Sequence, residues 1–175
     1  VDKFGYELKK LDIPEVKKIK EAGEKWEEEY AKLSDKQLET ISVFMPAEVP
    51  MLKPSQLIAS LWNQQTKGEI DVIFDETMVE IANENLEIFH TLSADAQGNK
   101  KKLPIFEKIT GFVSNESDRP QFARALLDKL NKFSFEETFT EHYDFFSDIF
   151  EYLIKDYNTA GGGKYAEYYT PKAIA

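Results

Sequence analysis

The 175-residue chain is long enough for one well-buried core. Hydrophobic residues make up 42% and aromatic residues 13%, which excludes a disordered tail because such tails lack the apolar area that offsets ordering entropy. The net charge of −10 argues against this region being the main grip on DNA or RNA, although a partner or another domain could supply the positive surface.

The chain contains no cysteine, and charged residues break its longest apolar stretches well short of the roughly 20 residues that a membrane span needs. Nothing in the composition requires an oxidising compartment. We therefore expect a cytoplasmic protein that does not associate with a membrane.

The first predicted helix covers residues 13–33. Apolar side chains step by three and four along it and form one stripe on an otherwise charged helix. Pro14 lies near the start of this helix, where its missing N–H costs least. The stripe consists of Val16, Ile19, Ala22, Trp26, Tyr30 and Leu33.

The middle of the chain is predicted to hold further helices around one extended connection. Ser34 and Gln37 form a capping-box pattern, which opens a helix that runs to about Phe44. Three prolines in residues 45–54 predict the extended connection. Two more helices are expected at about 55–66 and about 71–92.

Residues 93–102 are predicted to form a loop that ends in three lysines, which is either a solvated loop or a phosphate contact. Residues 103–112 are expected to form a short helix. Asp118 is expected to cap a helix that has Pro120 in its first turn and runs to about Lys132. Because no alternating pattern is longer than a few residues, the predicted fold class up to the glycines near the C-terminus is all-α.

The last predicted helix, residues 140–157, has a wide apolar face and a charged one. Such a face either packs against a neighbouring domain or belongs to an ordinary helical core. Gly161, Gly162 and Gly163 then end the helix and let the backbone turn freely. This segment is therefore predicted to be a hinge.

The hinge leads into a Thr-Pro pair that is typical of a helix start. Pro171 restricts Thr170 to an extended conformation and suits the first turn of a helix, which Thr170 is well placed to cap. The free N–H groups of such a helix form a seat for a carboxylate, with Tyr168 and Tyr169 as walls. A plain loop-to-helix junction is the alternative interpretation.

The simplest catalytic and metal sites are excluded. A phosphate-binding loop around "GGGK" would need glycine at position 158 and serine or threonine at position 165, which hold Asn158 and Tyr165. His90 and His142 are the only histidines, and without cysteine they do not make a zinc site. No nucleophile and base can be paired, so no catalytic or metal-ligating residue is assigned.

Residues 133–175 resemble the start of the adenine-N6 DNA methyltransferase domain in modification (M) subunits of type I restriction–modification systems. In that family a helix of the form D-x-(Y/F)-E-Y-L precedes a glycine-rich loop with a lysine and then the motif G-(E/Q)-(F/Y)-(F/Y)-T-P-(R/K). Residues 148–153 match the helix, and residues 167–172 match the motif, with Ala166 where the family usually has glycine.

The resemblance implies a domain organisation and a function. Residues 1–132 would form a multi-helix N-terminal domain, and residues 133–175 would open an α/β, Rossmann-like methyltransferase domain whose remainder is not included. The cofactor would be S-adenosyl-L-methionine, and the partners would be double-stranded DNA, the specificity (S) subunit, a second M subunit and the restriction (R) subunit. The implied cofactor-binding residues are Glu167, Tyr168, Tyr169, Thr170, Pro171 and Lys172.

The full-length subunit would transfer a methyl group to adenine N6, whereas the 175 residues alone are expected to be inactive, because the family's glycine motif and its Asn/Asp-Pro-Pro-Tyr/Phe motif are not among them. Two alternatives stay open. One is a helical protein–protein interaction module without catalytic activity. The other is a self-sufficient restriction–methylation polypeptide with the same methyltransferase core.

Overall fold

The computed structural model of the protein describes residues 1–94, residues 99–135 and Tyr152. The chain divides into two compact units, Val1–Glu136 and Glu137–Ala175, and all the elements given below belong to the first unit. No helix within the described ranges is long and apolar enough to cross a membrane.

The described residues are mostly helical and include one two-stranded antiparallel sheet. The α-helices are α1 (Asp2–Lys10), α2 (Lys17–Glu21), α3 (Trp26–Tyr30), α4 (Asp35–Phe44), α5 (Ile58–Trp62), α6 (Ile70–Glu84) and α7 (Arg119–Lys132). The strands are β1 (His90–Ala94) and β2 (Lys100–Pro104). The all-α prediction is therefore wrong in one respect, because it left no place for this hairpin.

The helix predicted at residues 13–33 is broken in the structure into α2 and α3, with 3-10 turns at Pro14–Val16 and Gly23–Lys25. The break falls at Gly23, whose φ of 58° is a left-handed conformation that glycine adopts without steric cost. The predicted stripe nevertheless faces the interior, since Val16, Ile19, Trp26 and Tyr30 are all buried.

The first hydrophobic core lies between α1, α2, α3, α4 and the extended connection. Phe4 packs edge-to-face on Tyr30, with ring centroids 5.3 Å apart. The Tyr30 hydroxyl donates a hydrogen bond of 2.6 Å to the carbonyl oxygen of Leu52, and burial raises the pKa of this hydroxyl above its usual value. The connection, predicted from its prolines, is thus fastened to α3 from within the core.

Helix α4 confirms the capping-box prediction. The Ser34 N–H donates to the Gln37 side-chain oxygen at 3.0 Å, and the helix ends at Phe44 as expected. Local hydrogen bonding fixes this start.

A second core joins α5, α6 and α7 through Leu61, Ile70, Phe74, Ala123 and Leu127. In addition, the Arg124 Nε donates to the Gln65 carbonyl at 2.8 Å, which ties α7 to the turn after α5. The helix predicted at about 55–66 is shorter than expected, because α5 follows a 3-10 turn at Pro54–Gln56 and ends at Trp62.

Helix α7 has the predicted bounds and has Pro120 in its first turn. The cap predicted from Asp118 does not form, because this carboxylate accepts a hydrogen bond of 3.1 Å from the Asn115 side-chain amide instead.

Helix α6 ends at Glu84 rather than near residue 92, and the chain then turns into the hairpin. The strands pair His90 with Pro104 at the base and Ala94 with Lys100 toward the tip. This ladder replaces the two ends of the predicted loop, at 93–94 and 100–102, and the start of the helix predicted at 103–112. Of that helix only a 3-10 turn at Ile109–Phe112 is present.

Candidate functional site

The site predicted from the sequence lies outside the described residues. This holds for the motif at 167–172, for the glycine hinge and for His142. From the predicted helix 140–157 the structure describes Tyr152, which is helical and 68% exposed. The assignment of the motif to a cofactor therefore stays a prediction, and the described residues show which other sites the fold builds.

A groove of about 330 Å³ lies between the end of α4 with the following connection and the residues after α6. Asn85 shapes its floor, because its side-chain amide donates to the Met51 carbonyl at 3.0 Å and accepts from the Met51 N–H at 2.7 Å. The same amide also donates to the Ile81 carbonyl at 2.9 Å. Both N–H donors and the carbonyl oxygen of this buried side chain are thus engaged, and two of the three bonds hold the extended connection against the end of α6.

The carboxylates beside this groove have structural partners. Lys53 forms ion pairs with Glu80 and Glu84, and the Gln56 amide donates to the second oxygen of Glu84 at 3.0 Å. The nearby Gln56 amide and the ammonium group of Lys53 hold the pKa of Glu80 below its usual value. The ion pair also raises the pKa of Lys53, so Glu80 and Lys53 stay ionised at neutral pH.

A second groove of about 730 Å³ runs beside α1, α3 and the end of α7. Its charged lining is mixed, with Asp2, Glu24, Glu27 and Glu28 beside Lys9, Lys25 and Lys132. Such a lining favours neither an anion nor a cation. The half-buried carboxylate of Glu27 accepts a hydrogen bond of 2.9 Å from the Ala59 N–H in the first turn of α5, and burial raises the pKa of Glu27.

A buried carboxylate, Asp75, projects from α6 toward the segment after the hairpin. The Thr110 N–H donates to one of its oxygens at 3.0 Å, and the Thr110 hydroxyl donates to the other at 2.5 Å. Both oxygens are thereby satisfied without a metal or a ligand. Asp75 thus fastens the turn at Ile109–Phe112 to α6. A carboxylate within the apolar run of α6 is the sequence signal that could have identified Asp75 as a buried, hydrogen-bonded residue.

No group of three metal-ligating side chains occurs in the part of the chain that the structure describes. His90, expected on a helix surface or partly buried, is half-buried at the start of β1. The predicted lysine run is placed on β2, where Lys100 and Lys101 are exposed.

No family model matches the chain, and neither the curated proteins nor the solved structures contain a significant match to it.

Proposed function

We propose that the chain is the N-terminal region of the M subunit of a type I restriction–modification complex, which transfers a methyl group from S-adenosylmethionine to adenine N6 in DNA. The observation that carries this proposal is the order of three features in the sequence: the acidic-aromatic segment 148–153, the glycines 161–163 and the E-Y-Y-T-P-K segment 167–172. The largely helical unit that precedes them agrees with the helical domain expected ahead of a methyltransferase.

In this proposal, Thr170 and Pro171 start a helix whose N–H groups face the methionine carboxylate of the cofactor, with Tyr169 beside it. The rest of the α/β domain would hold the adenine and ribose of the cofactor. When bound, S-adenosylmethionine would supply the methyl group for transfer to the amino nitrogen of a target adenine rotated out of the duplex.

The proposal can be tested at the motif in the full-length subunit. Changing Thr170→Ala and Pro171→Gly together removes the cap, which is worth about 0.5–2 kcal/mol, and frees the backbone. Because about 1.4 kcal/mol is a tenfold change, calorimetry should show several-fold weaker binding of S-adenosylmethionine. Thr66→Ala, at an exposed position far along the sequence from the motif, is the matched control and should leave the affinity unchanged.

An unchanged dissociation constant in the double variant would contradict the assignment of the motif. The 175 residues alone are expected to bind the cofactor weakly or not at all, since most of the pocket would come from the rest of the α/β domain. Robust binding by this fragment would show that the site is misplaced.

A helical interaction module without catalytic activity is the second candidate. It is favoured by large apolar side chains that the first unit exposes, among them Val43 at 78% and Phe112 at 81%.

The gene sequence downstream of Ala175 separates the two candidates. A Pro-Pro-Tyr/Phe motif encoded within a few hundred codons of Ala175 supports the methyltransferase, and a stop codon shortly after Ala175 supports the module. A neighbouring specificity-subunit gene would count against a self-sufficient restriction–methylation polypeptide.

A further inference from the structure

The β1–β2 hairpin exposes both of its faces. Side chains alternate between the two faces of a strand, and exposed positions occur on each of them. The exposed residues are Thr91, Leu92, Ser93, Ala94, Lys100, Lys101 and Leu103. An isolated two-stranded hairpin is marginally stable in water, and this one buries little apolar surface along its strands. Burial of apolar side chains along the strands therefore does not explain why the chain forms this ribbon.

The base of the hairpin is nevertheless firmly anchored. The Ile105 N–H donates to the Phe89 carbonyl at 3.2 Å, and the rings of Phe89 and Phe106 lie 5.1 Å apart. Phe89 also packs against the first hydrophobic core, and Lys102 forms an ion pair with Glu87. The ribbon is thus mounted on a fixed base, which is how proteins position surface segments that bind partners.

One face of the ribbon carries groups that donate hydrogen bonds to phosphate. The register places Ser93 opposite Lys101 and Thr91 opposite Leu103, so the two hydroxyls and one ammonium group share a face. Lys100, which pairs with Ala94, lies on the other face of the ribbon at the same end. Lysine, serine and threonine side chains supply a large part of protein contacts to the DNA backbone.

The two outer lysines are free to bind an external anion. Within the described part of the chain, no carboxylate forms an ion pair with Lys100 or Lys101, whereas Lys102, Lys53 and Lys132 all have acidic partners. Lys100 and Lys101 thus give the ribbon unpaired positive charge in a chain whose net charge is −10. A highly charged anion would therefore be attracted to the ribbon and repelled by much of the remaining surface.

We propose that the β1–β2 hairpin binds the phosphate backbone of double-stranded DNA through Thr91, Ser93 and Lys101 on one face and Lys100 on the other. A two-stranded antiparallel ribbon is of a size that the major groove of B-DNA admits, which allows the lysines to reach the phosphates at the groove edge. The inference rests on the proposed function for its choice of DNA, and it assigns to the helical unit a contact of its own with the duplex.

The test replaces Lys100→Gln and Lys101→Gln in the full-length subunit assembled with its partner subunits. Lys36→Gln with Lys129→Gln is the matched control, because both of these lysines are exposed and the same charge is lost. Fluorescence anisotropy with a labelled duplex gives the association constant over a range of salt concentrations. Each phosphate contact contributes about 0.9 to the slope of log K against log salt, so the slope should fall by about 1.8 in the hairpin variant.

Affinity at low salt should fall roughly tenfold or more in the hairpin variant and remain near the unmodified value in the control. Lys100→Arg with Lys101→Arg keeps the charge and should restore both quantities. Equal slopes for the hairpin variant and the control would overturn the inference, as would an unmodified complex that does not bind the duplex. Loss of partner-subunit association with DNA affinity unchanged would also overturn it, since the ribbon would then be a protein-docking surface.

The same preparations separate this inference from the proposed function. Methylation of adenine by a complex whose hairpin variant binds DNA normally would refute the hairpin contact and leave the methyltransferase standing. If the salt dependence of DNA binding changes in the hairpin variant but the complex binds no S-adenosylmethionine, the hairpin contact would stand and the methyltransferase proposal would be refuted.

Discussion

Removing the Tyr30 hydroxyl tests how the extended connection is held to the helices. Tyr30 is fully buried, and its hydroxyl donates to the Leu52 carbonyl at 2.6 Å, where Leu52 is itself only 4% exposed. Because burial raises the pKa of Tyr30, the hydroxyl remains a neutral donor at physiological pH. Tyr30→Phe keeps the ring contact with Phe4 and leaves the carbonyl oxygen without this donor in a place closed to water. Such a loss costs about 1–3 kcal/mol of unfolding free energy.

Urea denaturation followed by tryptophan fluorescence measures this cost, since Trp26 lies 6.3 Å from the Tyr30 ring. The midpoint should fall while the slope stays constant, and the melting temperature should fall by roughly 2–4 °C for each kcal/mol. Tyr6→Phe, on the half-buried side of α1, is the control and should change stability by about 0.5 kcal/mol or less. A Tyr30→Phe protein as stable as the control would refute the view that this hydrogen bond fastens the connection.

Two further predictions concern Gly5 and Glu27. A Cβ at Gly5 would lie 2.7 Å from a Trp26 ring carbon, so Gly5→Ala should lower the free energy of unfolding by about 1 kcal/mol even after its gain in helix propensity. Gly68→Ala is the control, because its Cβ would meet nothing within 4 Å, and it should not be destabilised. Equal stability of the two variants in denaturation experiments would contradict the packing of Gly5 on Trp26. Burial raises the pKa of Glu27 above 4.5 in the folded protein. The stability that its protonated form contributes is therefore fully present below pH 4.5 and is lost as the pH rises through the higher pKa of the folded state. Melting curves should therefore show Glu27→Gln gaining stability relative to the unmodified protein as the pH rises above about 4.5. A difference between the two proteins that does not change with pH would count against the burial of Glu27.

Elements whose signals are local were predicted well from the sequence. The Ser34–Gln37 capping box set the start of α4, and Pro120 marked the first turn of α7. The apolar stripe of residues 13–33 identified buried side chains even though the helix itself is interrupted. The interruption at Gly23 was missed because a single glycine lowers helix propensity by only about 1 kcal/mol and does not by itself announce a break.

Features that depend on contacts between distant segments were not predicted. Helix α6 ends early because the Asn85 side chain bonds to the backbone of Met51, 34 residues away. The hairpin gave no alternating apolar pattern, since its exposed ribbon has no buried face to specify one. The roles of Asp75 and Glu27 are likewise set by partners that the sequence pattern does not identify.

Methyl transfer by the proposed full-length subunit, assembled with the proposed specificity subunit, is the most direct test of the account. With labelled S-adenosylmethionine and DNA that carries the target site, we expect the label in N6-methyladenine, at a rate that falls several-fold at limiting cofactor when Thr170 and Pro171 are replaced. Absence of N6-methyladenine from DNA that carries the target site, in the presence of cofactor and all partner subunits, would contradict the account.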